Sequence, residues 1–325
     1  MKILLVLHSV LPCKTYGGTQ RVVWYLAKGL ATLGHEVGLL AGKGTQCPFA
    51  KVHEINPELD LDRQIPEEYD VVHFNIPYEI DRPHLNTFHG DRNNTAPFPK
   101  NTVFISAYHA GQFGSNTYVY NGLDFEDYGS VSLNEKKNYF HFLGKAAWRK
   151  KNVKGAISLI NSIPGARLKV LGGSRLNFKM GFRLTLSPKI HFHGMVGGEE
   201  KNQLLRYSKG LVFPVRWHEP FGLAITESLY FGAPVFGTPY GSLPELVKEE
   251  VGFLSANPTE VKAAIQNADA YNRQLCHEYA QDCFNHISMA IGYLKLYEKV
   301  LAGENLHEHN PKRASILKEK FLPWG

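Results

Sequence analysis

Two glutamates with seven residues between them, Glu219 and Glu227, are the side chains of this 325-residue chain best arranged to bind a polar ligand. A continuous apolar run ends at Pro214, which places Glu219 in the loop after a predicted strand. The turn residues 220–222 (Pro-Phe-Gly) then begin a predicted helix, and Glu227 lies in its second turn. The two carboxylates should therefore lie on either side of a helix N-terminus.

The start of that helix has the properties of a phosphate-binding site. The backbone N–H groups of Phe221, Gly222 and Leu223 lack partners within the helix, and a helix N-terminus carries partial positive charge. Gly222 has no side chain to keep a ligand away from the backbone. The carboxylates of Glu219 and Glu227 can accept charge-assisted hydrogen bonds from the hydroxyl groups of a ribose or a sugar ring. Without further context, Glu219 could equally be an ordinary loop carboxylate and Glu227 an ordinary residue on a helix surface.

Alternating strand and helix signals surround this segment. Helical patterns begin near residues 20, 153, 199 and 222. Strands that alternate with helical crossovers favour parallel sheets with helices on both faces, so the fold class is α/β. The predicted strands are KILLVL, EVGLL, KVHEI, DVVHF, LNTF, TVFI and TYVY in the first half, and YFHFLG, ARLKVLGG, IHFHG, GLVFP and PVFG in the second.

The polar, turn-rich residues 121–137 are the predicted linker between two domains. We expect two Rossmann-like, doubly wound domains facing a central cleft, with residues 1–130 in the first and 131–301 in the second. Residues from about 302 to 325 form a tail that packs back on the first domain or stays loose. Ligands of such sheets bind beyond the carboxyl ends of the strands, which is where Glu219 falls.

The segment EPFGLAITESLYFGAPVFGT, together with the later GSLPEL, resembles the E-x7-E region of glycosyltransferase family 4, a retaining family with the GT-B fold. The resemblance extends over nearly the whole chain. It implies a UDP- or GDP-sugar donor, with Glu227 on the ribose, the amides of residues 221–223 on the diphosphate and Glu219 on the sugar. It also implies same-face attack assisted by the leaving phosphate, without a metal or other cofactor.

A basic segment, LGKAAWRKKNVKGAISL, resembles the part of the family that contacts the donor diphosphate. Lys145 stands where the family usually has arginine, and Lys151 best matches the family lysine. Because Arg149, Lys150 and Lys154 lie close by, the sequence leaves open which of these cations meets the diphosphate.

Two further sites carry the resemblance in the first half. Gly17 and Gly18 precede the first helix, as in the glycine loop that lies beside the donor pyrophosphate and sugar in the family. His89, at the end of LNTFHG, matches a histidine placed near the sugar. Four other histidines near predicted strand ends compete for that role: His8, His73, His84 and His109.

The segments KVLGGSR and IHFHGMVGGEEKNQLL resemble the two strand–loop pairs that hold the nucleoside in the family. The resemblance places Gly172 in the first loop. Backbone groups near Met195 and Val196, in the second loop, would contact the base.

Two other patterns have metal-ligand spacing. Asp60 and Asp62 form a D-x-D pair, but in a polar stretch far along the chain from Glu219. His191 and His193 share one face of a predicted strand, and no third ligand is evident. We expect neither pair to bind a metal.

Composition limits the remaining classes. The chain has 43% hydrophobic and 20% charged residues, which is typical of a folded globular protein. The apolar start, residues 2–7, is too short to span a bilayer. Four cysteines without a CxxC pair favour a reducing cytoplasm. The net charge of +6 suits an anionic partner such as a sugar nucleotide or a phospholipid surface, and nucleic acid is not expected.

The acceptor is not specified by the sequence. A carbohydrate, a lipid-linked glycan or a small molecule all remain open, as do peripheral contact with a membrane and the oligomeric state. Loops of the first half carry Lys14, Arg82, Arg92 and Lys100, which suit an anionic or membrane-bound acceptor or ordinary surface charge.

Three other functions remain as alternatives. A GT-B sugar-nucleotide epimerase would act on the donor without an acceptor, and a phosphorylase would cleave a polymer with phosphate. A non-catalytic nucleotide-sugar-binding protein would bind a donor without turnover, and Lys145 in place of arginine is the feature that favours it.

Overall fold

The computed structural model describes residues 1–13 and 17–325. They form two compact units, each built on a six-stranded, fully parallel sheet. The first unit comprises Met1–Cys13, Gly17–Asp124 and Phe284–Leu317, and the second comprises Phe125–Cys283 and Lys318–Gly325.

The first unit has the strand order β3-β2-β1-β4-β5-β6. The central strands are apolar and fully buried, which is typical of a parallel sheet covered on both faces. Its elements are β1 (Lys2–Val6), α1 (Gly18–Thr32), β2 (Glu36–Ala41), β3 (Lys51–Glu54), β4 (Val71–Phe74), β5 (His84–Thr87), β6 (Thr102–Val103) and α2 (Ala107–Gly111), and later α9 (His286–Leu301).

The second unit has the strand order β11-β8-β7-β12-β13-β14, with a separate two-stranded antiparallel hairpin of β9 and β10. Its strands are β7 (Phe140–Leu143), β8 (Leu168–Leu171), β9 (Leu176–Asn177), β10 (Arg183–Leu184), β11 (Ile190–Phe192), β12 (Leu211–Phe213), β13 (Val235–Gly237) and β14 (Gly252–Leu254). Its helices are α3 (Val153–Asn161), α4 (Gly198–Arg206), α5 (Leu223–Tyr230), α6 (Leu243–Leu246), α7 (Pro258–Gln266) and α8 (Arg273–Cys283).

The boundaries of the units differ from those expected at 130 and 301. The chain passes from one unit to the other between Asp124 and Phe125, inside the predicted linker, and α9 belongs to the first unit. The reason is that α9 packs on α1 so closely that a Cβ on Gly29 would lie 2.7 Å from the carbonyl oxygen of His286.

The tail divides between the units. Residues up to Leu317 join the first, where Arg313 pairs with Asp91 at 2.9 Å. Lys318–Gly325 joins the second, where Trp324 packs against the hydrophobic core.

One predicted strand, TYVY, is reduced to a single bridge between Tyr118 and Phe104. Over the described ranges, the helices are all too short or too polar to cross a membrane.

Candidate functional site

The predicted ligand residues of the second unit follow the carboxyl ends of its strands. Lys145 comes after β7, Gly172 after β8, Val196 after β11, and Glu219 after β12. Because carboxyl ends of parallel strands share one edge of a sheet, these residues belong to the edge at which ligands of such folds bind. The sheet therefore places four separate sequence segments on one side.

Lys151 and Glu219 form a buried ion pair. The Lys151 Nζ lies 2.5 Å from Glu219 Oε2, and the two side chains are only 10% and 7% exposed. Trp217 Nε1 donates a second hydrogen bond to the same oxygen at 2.9 Å. A buried carboxylate needs such partners, because desolvation penalises an isolated charge. The pair holds the Glu219 carboxylate in one orientation.

The position of Lys151 depends on the residue that follows it. Asn152 has a left-handed backbone (φ 54°) and caps α3 by accepting a hydrogen bond from the Gly155 amide. Its side-chain amide also donates to the carbonyl of Pro214, at the end of β12. This links the basic segment directly to the strand that leads to Glu219.

The backbone of Glu219 is fixed by the turn before α6. The amide of Ser242 donates to the Glu219 carbonyl at 2.9 Å. Gly241 has φ +68°, and a Cβ there would lie 2.2 Å from the Glu219 nitrogen. Only glycine permits this approach, which gives the GSLPEL segment a structural role in holding Glu219.

Helix α5 begins at Leu223, within one residue of its predicted start. Gly222 precedes it in the left-handed conformation (φ 90°), which favours glycine. The first amides of a helix have no partner within it, and Gly222, Leu223 and Ala224 are only half-buried, so a ligand can reach them. Phe221 is 2% exposed and anchors the turn. A helix start of this kind can bind an anion, and contact with a diphosphate stays a prediction.

Glu227 lies on the buried side of α5 and is 2% exposed. Its Oε1 accepts hydrogen bonds from Lys201 Nζ of α4 and from the Tyr128 hydroxyl at 3.0 Å. The ammonium group of Lys201 also lies 4.7 Å from the centre of the Tyr128 ring. Glu227 is thus the centre of a second buried ion pair, and not a surface helix residue.

Sequence reasoning missed Lys201, Tyr128 and Trp217. Tyr128 lies in the segment predicted to be a polar linker, yet it is buried. Lys201 had a detectable signal, since it stands four residues before the buried Leu205 and therefore on the inward face of α4. A lysine on a buried helix face requires an anionic partner.

The other cations of the basic segment lie on aromatic rings or in solvent. The Lys150 ammonium lies 3.3 Å from the centre of the Trp217 ring, and that of Lys145 lies 5.1 Å from the centre of Trp148. Lys154 is exposed. Lys151 pairs with Glu219, and its contact with a diphosphate stays a prediction.

Gly172 has a packing role that its sequence context did not reveal. Its φ is +131°, and a Cβ would lie 2.0 Å from the carbonyl oxygen of Gly144, in the loop that leads to Lys145. Val196 is half-buried in the loop before α4. Contact of either residue with a nucleoside stays a prediction.

In the first unit, His89 follows β5 and is half-buried. Its Nε2 lies 2.8 Å from Oδ1 of Asn75, which follows β4. Burial lowers the pKa of His89 to about 4, so the ring is neutral at pH 7. Because the amide oxygen of Asn75 accepts from Nε2–H, the neutral ring has Nδ1 left as an acceptor, which suits a hydrogen bond from a sugar hydroxyl.

Two of the competing histidines have structural partners. The ring of His73 is fully buried and bonds to Tyr297 Oη and Thr87 Oγ1, each at 2.7 Å. His109 is 1% exposed, and burial lowers its pKa to about 3. Gly17 lies immediately before α1, whereas Gly18, also predicted to precede the helix, is its first residue. Contact of either glycine with a donor stays a prediction.

The cations expected on the acceptor loops are partly used within the fold. The guanidinium of Arg82 donates to the carbonyls of Pro66, Glu67 and Tyr69. That of Arg92 lies 3.4 Å from the centre of the Phe98 ring. Lys14 lies outside the described residues.

The two candidate metal pairs remain isolated. Asp60 and Asp62 are exposed, and Asp60 pairs with Arg63 at 3.8 Å. His191 lies exposed on an edge strand, with His193 beside it. Over residues 1–13 and 17–325 no group of three His, Cys, Asp or Glu side chains forms a metal cage.

The fold matches solved structures of the GT-B type. A glycosyltransferase involved in avilamycin A biosynthesis superposes with a TM-score of 0.73 at 22% identity, covering 93% of this chain and 98% of that one. Anabaena HepE in complex with UDP-glucose gives 0.66 at 17% identity, covering 93% and 100%. The chain is therefore a GT-B protein with two Rossmann-like units.

Comparison of the amino-acid sequence with known families and proteins also finds glycosyltransferases. Residues 125–280 match the family described as glycosyl transferases group 1. The O-antigen chain mannosyltransferase C of Escherichia coli is 22% identical over 373 residues, covering 94% of this chain and all of that protein. These similarities support a transferase enzyme related to the group 1 glycosyltransferases.

Two other relatives match over shorter stretches. A protein of the Klebsiella pneumoniae cps region is 25% identical over 116 residues, and an uncharacterized glycosyltransferase of Methanocaldococcus jannaschii is 25% identical over 138 residues. These alignments cover 34% and 40% of this chain, and they span about a third of each relative, 32% and 34%.

Proposed function

We propose that this protein transfers a sugar from a nucleoside diphosphate donor to a carbohydrate, lipid-linked or small-molecule acceptor, with retention at the anomeric carbon. The observation that carries the proposal is the pairing of Glu219 with Lys151 and of Glu227 with Lys201, on the two sides of the α5 N-terminus. The UDP-glucose complex of Anabaena HepE and the similarity to a mannosyltransferase support a nucleotide-sugar donor, for which we propose a UDP- or GDP-sugar.

Each part of the donor has a matching group. The amides of Gly222 and Leu223 would hold the diphosphate, and the carboxylate of Glu227 would accept hydrogen bonds from the ribose hydroxyls. Lys151 has three N–H donors, so it can hold Glu219 and a phosphate oxygen together. Glu219 would orient the sugar hydroxyls, with His89 as a second group on the sugar.

In the proposed reaction, negative charge develops on the diphosphate as it leaves the anomeric carbon. The bond between the anomeric carbon and the diphosphate oxygen breaks, and the acceptor oxygen bonds to the same face of the sugar. The acceptor proton passes to the leaving phosphate oxygen, so no protein nucleophile is required. Lys151, Lys145 and the helix amides would stabilise the departing diphosphate, and one such preorganised donor is typically worth about a hundredfold in rate. We therefore propose that transfer needs no divalent cation.

A donor screen tests this proposal. UDP-, GDP- and ADP-sugars are added to the full chain with a chelator present, and the melting temperature is followed. A ligand that binds only the folded state raises stability by RT ln(1 + [L]/Kd). We expect sugars of one nucleotide class to raise the melting temperature in the presence of the chelator. In an acceptor screen followed by NMR, we expect a product with the anomeric configuration of the donor.

Other outcomes assign the alternatives. An inverted product contradicts retention. Epimerised donor without an acceptor indicates an epimerase, and phosphate-dependent polymer cleavage indicates a phosphorylase. Binding without turnover on any acceptor indicates a nucleotide-sugar-binding protein, and strict dependence on manganese contradicts the metal-free mechanism.

A further inference from the structure

The hairpin of β9 and β10 carries its apolar side chains on the side of the solvent. Leu176 pairs with Leu184, and Asn177 pairs with Arg183. The turn between these two short strands brings the ring centres of Phe178 and Phe182 to 5.8 Å from each other. Every second residue from 176 to 186 is large, apolar and exposed: Leu176 (45%), Phe178 (73%), Met180 (61%), Phe182 (62%), Leu184 (51%) and Leu186 (79%).

The polar face of the hairpin points toward the protein. Arg183 is 6% exposed and donates to Thr185 Oγ1 at 3.0 Å and to the Ser174 carbonyl at 2.9 Å. Arg175 donates to three carbonyls, including that of Ile190 at 2.6 Å. An antiparallel pair on a protein surface normally buries its apolar face and exposes its polar one. Here the arrangement is reversed, so the exposed apolar face is available for an apolar environment.

The sequence segment that contains the hairpin is strongly basic. Residues 136–198, which include the hairpin, contain 13 Lys and Arg and not one Asp or Glu. The rest of the chain has 23 Lys and Arg against 30 Asp and Glu, so this stretch accounts for the whole net positive charge. Beside the hairpin, a cavity of about 170 Å³ is lined by Met180 and Phe182 together with four cationic side chains. These cations are Arg149, Lys154, Arg183 and Arg216.

We propose that the hairpin docks this protein on an anionic lipid bilayer. The apolar side chains would enter the boundary between headgroups and acyl chains, while the exposed Arg149, Lys154 and Lys179 would lie at the level of the headgroups. An apolar face bordered by cations is the combination that binds peripheral proteins to anionic lipid. A second copy of this chain is a poorer occupant, because two such basic surfaces repel each other.

Sedimentation of the full chain with lipid vesicles tests the proposal, and it needs no donor or acceptor. We expect binding to vesicles of phosphatidylcholine with added phosphatidylglycerol, weakened by salt, and little binding to phosphatidylcholine alone. The double variant Phe178→Ser with Phe182→Ser should partition at least about tenfold more weakly, because two exposed rings no longer enter the bilayer. The matched control, Leu59→Ser with Ile316→Ser, removes similarly exposed apolar side chains of the first unit and should bind like the wild type.

A second measurement reports on the hairpin itself. Tryptophan emission from Phe178→Trp should move to shorter wavelength with anionic vesicles, as the indole leaves water. Three results would overturn the proposal: no binding of the wild type to anionic vesicles, equal binding of the double variant, or a wild-type dimer in sedimentation equilibrium that the double variant abolishes without lipid. The last result would assign the apolar face to a second copy. None of these results bears on the transferase proposal, which depends on donor binding alone.

Discussion

Removal of the Lys201 ammonium should lower the free energy of unfolding, because it takes away the cation that pairs with the buried carboxylate of Glu227. In the substitution Lys201→Met the side chain keeps much of its length but loses its charge, so the carboxylate of Glu227 retains only the Tyr128 hydroxyl of the two partners described above. The side chains of Lys201 and Glu227 are 9% and 2% exposed. Because so little of the pair is exposed, water can replace the lost partner only in part.

The magnitude follows from that burial. Loss of one partner from a buried ion pair typically costs about 3–5 kcal/mol, whereas replacement of both by neutral groups can be nearly neutral. For a unit of this size, that is a fall in melting temperature of roughly 10 °C. The double variant Lys201→Met with Glu227→Gln should recover much of the loss, and the coupling energy should exceed about 1 kcal/mol.

Tryptophan fluorescence during urea unfolding is a suitable assay. Trp148, Trp217 and Trp324 lie in the second unit and only Trp24 in the first, so the signal reports mainly on the unit that contains the pair. Lys209→Met is the matched control, because its partner Asp269 is 60% exposed and such surface pairs contribute about 0–1 kcal/mol. If the double variant were as unstable as the sum of the two single variants, the reasoning would be refuted.

Two other perturbations have defined outcomes. Gly172→Ala should destabilise the second unit by about 2 kcal/mol or more in urea unfolding, since its Cβ would meet the Gly144 carbonyl at 2.0 Å with φ +131°. Burial lowers the pKa of His73 and His109 in the first unit and of His141 in the second, so the unfolded chain binds more protons below its pKa of about 6.5. Stability should be full above that pH and fall below it, by about 2 kcal/mol per histidine at pH 5; calorimetry that shows no such loss contradicts this.

Much of the fold could be predicted because its strands are continuous apolar runs. KILLVL and GLVFP contain strands that are buried on both faces, so their pattern is independent of context. TYVY also consists of strand-forming residues but forms one bridge, at Tyr118, because strand pairing depends on neighbours that are distant in sequence. The assignment of α9 to the first unit likewise depends on the approach of α1 at Gly29.

The site residues that lie close together in the sequence could be predicted, whereas their partners from distant segments could not. Glu219, Gly222 and Glu227 lie in one strand–loop–helix segment, so their spacing determines their placement. Lys201 lies 26 residues from Glu227 in the sequence, and Tyr128 lies 99 residues from it. No local pattern specifies such pairs.

The hairpin had a local signal, since apolar residues alternate with others from 176 to 186. Alternation predicts a strand with one apolar face. It does not say which face the protein covers, and here the polar face is the covered one. That choice depends on the hydrogen bonds of Arg175 and Arg183, which only the three-dimensional structure reveals.

The most direct test of the central claim, that a nucleoside diphosphate binds between Glu219 and Glu227, is calorimetric titration of UDP and GDP into three proteins with a chelator present. These are the wild type, Glu227→Gln, and Glu260→Gln, whose carboxylate is exposed and bonds to Ser255. We predict that the wild type and Glu260→Gln bind one nucleotide equally, and that Glu227→Gln, confirmed as folded by its tryptophan signal, binds at least about tenfold more weakly because the charge-assisted bond to the ribose is lost. Equal affinity in all three proteins, or no binding of either nucleotide to the wild type, would contradict the claim.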